Sequence, residues 1–251
     1  MITKMSAAIT RKVLAELQEK AEKEPKEFEQ FWALFGPVVK EGLYDAHSYR
    51  DALTKTVRFY STKAEGLTSL ADYVSRMKPG QESIYYLSGG DLQSAKNSPQ
   101  LEAFKAKDIE VLFMTDTIDE FWVPIQADFG GKKFKSVTRG SAELSKVASE
   151  TKEEVQPETN NIDALVTRLK DILSGEVKDV CLSERLVDSP VCLVAPENDV
   201  DIHMQRILKK SQGYEALHQH ILEINAKHPV ILKLKDMAAN DAAAETLKDT
   251  A

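Results

Sequence analysis

The chain has 251 residues, 40 acidic against 33 basic, for a net charge of -7 at pH 7. At 42% hydrophobic and 29% charged it is composed like an ordinary globular protein, and its length calls for two or more packed units. The acidic balance, with no basic stripe interleaved with aromatics, argues against a nucleic-acid binder, and no apolar run approaches the roughly 18 residues of a membrane span.

Three helices are expected first. Ile2, Met5, Ile9, Val13, Leu17 and Ala21 recur at helical spacing as one stripe. Pro25 suits the first turn of a second helix, striped by Phe28, Phe31, Trp32, Phe35, Val38 and Val39 and ending near Gly42. Tyr49, Leu53, Val57 and Tyr60 mark a third, and short connections predict a small helical bundle over 1–65.

From residue 66 to 139 the pattern alternates. Ser69 can cap a helix, with Asp72 as its reciprocal partner and Pro79-Gly80 as its end. Ile84–Leu87, Glu110–Met114 and Lys132–Val137 read as strands; Asp91–Lys107 and Thr117–Phe129 read as helices between them. Such alternation predicts a small parallel or mixed sheet with helices on its faces. Residues 140–161 carry five acids and little apolar periodicity, so they read as a linker.

Beyond it, residues 162–251 read as a second mixed domain. Ile162, Leu165, Val166, Leu169, Ile172 and Leu173 make a helix ended by Gly175. Val177–Leu186 and Val191–Val194 flank Asp188-Ser189-Pro190, which predicts a hairpin. A helix near Val200–Lys210, a strand at His220–Ile224 and a helix at Pro229–Ala239 follow. Another helix begins near Ala242 and stops without an end signal, and the start is equally abrupt, so both ends read as cut. The fold class is α/β in the mixed α+β sense: a helical bundle, a small layered α/β unit, then a second α+β domain.

The residues offer little chemistry. Leu87-Ser88-Gly89-Gly90 leads from a strand into a helix and could cradle a phosphate. No Gly-x-Gly-x-x-Gly or Gly-Lys-Ser/Thr accompanies it, and Asp91 stands where the anion would sit, so a capped turn explains it as well. His218, His220 and His228 lack metal-ligand spacing. Cys181 and Cys192 cannot form a secreted-type disulfide framework, lie in expected strands and suit burial as small hydrophobes. No nucleophile elbow occurs, and residues 1–20 are unlike a secretory signal, so a cytoplasmic protein is expected.

The wording LADYVSRMKPGQESIYYLSG closely resembles a signature of the heat-shock-protein-90 chaperone family in its bacterial form. ITRKVLAEL and FWALFGPVVKEG before it, and EVLFMTDTIDEFWV, VKDVCLSERLVDSPVCLV and LEINAKHPVILKL after it, keep that family's order over nearly the whole chain. The resemblance implies the later part of the middle domain (1–139), the linker (140–161) and a carboxy-terminal domain (162–251) cut within its dimerisation helices. It implies a chaperone that, at full length, is an ATP-driven homodimer remodelling unfolded or partly folded clients. The resemblance also implies that the family's amino-terminal ATPase domain, and the arginine loop that precedes its ITRKV helix, are not part of this sequence. This chain alone is therefore expected to be no enzyme, to hold no ATP-Mg and to be mainly monomeric.

The resemblance also assigns client contacts. In the segment Asp119-Glu120-Phe121-Trp122 they are Glu120 and Phe121 with Trp122 adjacent, although the order of the two rings departs from the bacterial pattern. Thr117-x-x-Glu120 also reads as a capping box, and both rings could be core. Pro124 should kink or shorten the helix. The second patch is Val200, Met204, Ile207 and Leu208, one face beside Arg206, Lys209 and Lys210. A Met-bearing face suits promiscuous binding, while ordinary burial gives the same stripe. The alternative to a chaperone fragment is an α/β nucleotide- or phosphate-binding enzyme using the Gly89-Gly90 loop.

Overall fold

The computed structural model describes residues 2–126, 128–140, 162–212 and 219–238. The expected linker after Gly140, His218 and the terminal helix near Ala242 lie outside the described residues. The fold is mixed α+β, in two compact units. One comprises Met1–Ala95 with Glu110–Lys135, and the other Lys96–Ile109 with Ser136–Ala251.

The first unit opens with α1 (Ile2–Lys23), α2 (Pro25–Asp45) and α3 (Arg50–Thr56), which pack on one another. Pro25 occupies the first turn of α2, where a missing N–H costs nothing. Leu14, Ala21, Phe28, Trp32, Leu43 and Leu53 form the bundle side of the core. The expected stripes are only half right. Met5, Ile9 and Val13 on α1, and Phe35 and Val38 on α2, face solvent. Periodicity reports that apolar residues share a face; which face is covered depends on where neighbouring helices lie.

The expected third helix stops at Thr56, and Tyr60 belongs instead to β1 (Arg58–Ser61). That strand is claimed by long-range pairing, with Tyr60 opposite Phe113. The other strands are β2 (Thr68–Ser69), β3 (Ser83–Ser88), β4 (Leu112–Met114) and β5 (Lys133–Ser136). The sheet order is β2-β1-β4-β3-β5; β3 and β4 are parallel, whereas β1 is antiparallel to both β2 and β4. The predicted cap is present at α4 (Leu70–Ser75): Asp72 N–H donates to Ser69 Oγ, and that hydroxyl donates to the Asp72 carboxylate. Asp91–Lys107 is broken into α5 (Leu92–Lys96), a 3₁₀ turn at Pro99–Leu101 and α6 (Glu102–Ala106). Before β5, Phe129 and Lys132 exchange backbone bonds across Gly130-Gly131, both at positive φ. A two-residue turn of that hand needs the freedom of glycine.

The second unit is built on α8 (Ile162–Ile172), β6 (Asp179–Leu182), β7 (Val191–Val194), α9 (Ile202–Gln212), β8 (Ile221–Ile224) and α10 (Pro229–Ala238). Ile162, Leu165, Leu169, Val180, Ile224 and Ile231 are its core. The expected β6–β7 hairpin does not form. The order is β6-β8-β7, with β8 parallel to β6 and antiparallel to β7. The turn Asp188-Ser189-Pro190 therefore joins strands that are not neighbours. Its polar groups are satisfied elsewhere: Glu102 accepts from the N–H groups of Val187, Asp188 and Ser189, and Asn225 Nδ2 donates to the carbonyls of Val187 and Ser189.

Candidate functional site

In the first unit the segment Asp119–Trp122 forms one short helix, α7, continued by a 3₁₀ turn through Pro124. Proline shortens the expected helix, because it has no N–H to extend the ladder. The capping box does not form, since no side chain caps α7. What holds α7 is Asp119, which is fully buried. Its carboxylate accepts from Lys40 Nζ at 2.9 Å, from Trp122 Nε1 at 2.8 Å and from the Asp116 N–H at 3.2 Å. Lys40 Nζ, itself buried, also reaches Asp116 at 2.8 Å and lies 4.6 Å from the Phe59 ring centroid. Burial pushes the Asp119 carboxyl upward; the charge of Lys40 and the bonds from Lys40 and Trp122 oppose that. All three hydrogen-bonding groups are donors, which suits an ionised carboxylate against an ammonium.

This arrangement separates the three expected contact residues. Trp122 has 0% exposure, stands edge-on to Phe134 at 5.6 Å and lies 6.1 Å from Phe59. A fully enclosed ring offers no surface to a partner. Phe121 points the other way, 38% exposed, and meets Tyr44 of α2. Glu120 is half-buried. The sequence reading missed Tyr44 and Lys40; nothing in their local spacing marks them.

In the second unit, α9 carries the other expected patch. Val200, Met204, Ile207 and Leu208 are all half-buried, and Arg206, Lys209 and Lys210 are exposed. The start of α9 is fixed by Asp201. Its Oδ1 accepts the His203 N–H at 3.1 Å, as an N-cap does, and Oδ2 accepts from the hydroxyls of Ser136 and Thr138. Arg139 Nε stands 3.8 Å away. Gln205 donates to the Val200 carbonyl, and its Oε1 lies 2.9 Å from His220 Nε2. Burial lowers the pKa of His203.

In the Gly89-Gly90 loop the chain's own groups take the positions a ligand would use, although the Ser88 hydroxyl is buried without a hydrogen-bond partner. Gly89 N–H donates to the Met114 carbonyl, and the Asp91 carboxylate accepts the Ser94 N–H, so a protein acid occupies the loop position an anion would take. Cys181 and Cys192 flank Glu223 across three strands. With roughly 4.8 Å between adjacent strands, two strand spacings put their backbones too far apart for a disulfide. Burial pushes the Cys192 thiol up to about 12, away from thiolate chemistry. Glu223 is held by Arg185 Nε at 2.9 Å and the Ser183 hydroxyl at 2.7 Å. Among the described residues, no group of three or more His, Cys, Asp and Glu could hold a metal, and no helix is long and apolar enough to cross a membrane.

The family model for Hsp90 protein matches residues 1–251. The chaperone protein HtpG of Roseobacter denitrificans is 45% identical over 258 aligned residues, covering 100% of this chain and 41% of that protein. HtpG of Paramagnetospirillum magneticum is 41% identical over 98% of this chain, and HtpG of Wolbachia sp. subsp. Brugia malayi 39% over 99%, each across 40% of the relative. The chain thus spans about two fifths of the length of the curated relatives it matches. It belongs to the Hsp90 family.

Proposed function

We propose that this chain is the client-holding part of a chaperone, supplying two surfaces to unfolded or partly folded proteins. Phe121 carries the first, with Glu120 beside it; Val200, Met204, Ile207 and Leu208 on α9 carry the second. The observation that supports this most directly is the exposure of Phe121 while its neighbour Trp122 is buried beneath it. An exposed ring on a short helix anchored by a buried ion pair costs the fold solvent-exposed apolar area. Contact with non-native chains, driven by desolvation and dispersion, would account for that cost. In a protein of its relatives' full length, such surfaces would serve an ATP-driven homodimer in the cytoplasm. The rival reading, a phosphate binder at Gly89-Gly90, finds its amide and its anion position already used.

The test measures binding of a reduced, carboxymethylated protein to the isolated chain, with ATP-Mg titration alongside. Phe121→Ala, and separately Met204→Ser with Ile207→Ser, should each weaken binding, and Phe121→Ala should leave thermal stability nearly unchanged. Trp122→Ala is the contrast, expected to lose about 3–5 kcal/mol as a packed aromatic. No binding by the unaltered chain would reduce it to a scaffold, and micromolar ATP affinity would revive the loop.

A further inference from the structure

Residues 196–200 carry the chain from β7 into α9, and one short segment, residues 136–140, holds this connection at both ends within the second unit. At its start the Ala195 N–H donates to the Thr138 carbonyl at 2.9 Å, and the Gly140 N–H donates to the Ala195 carbonyl at 3.0 Å. At its end the hydroxyls of Ser136 and Thr138 donate to Asp201 Oδ2, and Arg139 Nη1 donates to the Asp199 carbonyl at 3.5 Å. In between, Gly140 has a φ of +53° and lies so near Glu197 that an added Cβ would meet its side chain at 3.1 Å. The segment is itself fastened to the sheet. Buried Arg185 donates to the carbonyls of Val137 and Gly140, and its Nε is held by Glu223 of β8 at 2.9 Å.

Capping a helix takes one acceptor, and Asp201 Oδ1 supplies it to the His203 N–H. The second oxygen is free for another task. Asp201 is buried, and a buried carboxylate is costly unless donors fill its lone pairs. Here the hydroxyl donors come from residues 136 and 138, which are buried too, and not from α9. The start of α9, and with it the placement of Val200, Met204, Ile207 and Leu208, is thus fixed against this segment through one side chain. We propose that residues 136–140 set the position of the α9 contact face, and that Asp201 is the positioning residue through which they act. The proposal rests on the α9 face as a client contact and adds what places it.

The test is a double-mutant cycle on binding of the reduced, carboxymethylated protein. Ser136→Ala with Thr138→Val removes the segment's hold while Asp201 still caps α9, and it should weaken binding about two- to tenfold. In a chain already carrying Met204→Ser and Ile207→Ser the same pair should cause no further loss, because the face it places is gone. Asp201→Asn keeps an acceptor for the His203 N–H, and its Nδ2 can donate to the two hydroxyls. It should bind nearly as the unaltered chain does, whereas Asp201→Ala should not. Hydrogen exchange of β6, β7 and β8 follows the fold in each variant; lost protection there would make the segment part of the core and overturn the proposal. Undiminished binding with Ser136→Ala and Thr138→Val would overturn it while leaving the α9 face as a contact. Equal losses with and without Met204→Ser and Ile207→Ser would overturn it too, since the segment would then act elsewhere. If Met204→Ser with Ile207→Ser changes nothing, the contact reading of α9 fails and the positioning role falls with it.

Discussion

Replacing Lys40 with methionine tests the ion pair under α7. Lys40 is 3% and Asp119 1% exposed by side chain, and methionine keeps most of the lysine stem, so little cavity is created. What is lost is the counter-charge of a carboxylate cut off from water. Removing one partner of a buried pair costs about 3–5 kcal/mol. Asp119 retains the Trp122 and Asp116 N–H groups, and Asp116 itself is 29% exposed and can turn to water, so we expect the lower end, about 3 kcal/mol. That is a large part of the roughly 5–15 kcal/mol that holds a typical domain. The sign of the pH dependence follows from burial, which already raises the Asp119 pKa in the fold. Without Lys40 it rises further. Between the unfolded value, about 3.9, and the raised one, the folded state binds the proton more tightly, so the variant recovers stability as pH falls through that window. Adding Asp119→Asn removes the stranded charge and should restore at least half of the loss, since the amide oxygen can still accept from Trp122. The assay is urea unfolding followed by tryptophan emission, because both tryptophans of the chain, Trp32 and Trp122, lie in the first unit. A loss below about 1 kcal/mol, or a further loss on adding Asp119→Asn, would refute a buried ion pair as the anchor.

Two predictions concern the second unit. Burial works to raise the Glu102 pKa, yet the bonds from the Ser189 hydroxyl and from the N–H groups of Val187, Ser189 and Asp188 outweigh it, leaving it below the ordinary value. Its contribution is therefore present above the unfolded carboxylate range and lost as pH falls through the lowered value. Glu102→Gln should cost about 1–2 kcal/mol near pH 7, shrinking towards zero in acid, and a difference unchanged down to pH 3 would contradict this. Asp201→Ala removes an N-cap and the acceptor of the Ser136 and Thr138 hydroxyls, which can then bond only each other, so about 2 kcal/mol should be lost. Hydrogen exchange should then rise first at the start of α9; unchanged protection there would mean that Asp201 does not fix the helix.

Signals that act over a few residues could be read from the chain. Ser69 with Asp72, Pro25 at a helix start, Asp91 before α5 and Pro124 ending α7 all work within a turn, and each appears where its chemistry puts it. Most of what failed was decided by a distant partner, the exceptions being the local capping box at Thr117 and the break in the expected helix at Pro99. Tyr60 continues a helical spacing, but Phe113 opposite it makes a strand. The residues 177–194 read as a hairpin until β8, from later in the chain, takes the position between the two strands. Glu102 has no local signature as the acceptor for a turn at Val187–Ser189, because the two segments meet only in the folded unit.

The candidate surface obeys the same division. A sequence can mark Phe121 and Trp122 as two large adjacent rings, but in a helix neighbours differ by about 100°, so one faces inward and the other outward. Which is which depends on the side from which α2 approaches, and that is set by Lys40 reaching Asp119. A carboxylate at position 119 draws its indole neighbour down through Trp122 Nε1 and leaves Phe121 on the outer side, next to Tyr44. The buried charge pair and the exposed aromatic pair are therefore one arrangement seen from two sides of α7. Disturbing the first should reorient the second, so Lys40→Met should weaken the Tyr44–Phe121 contact as well as the fold.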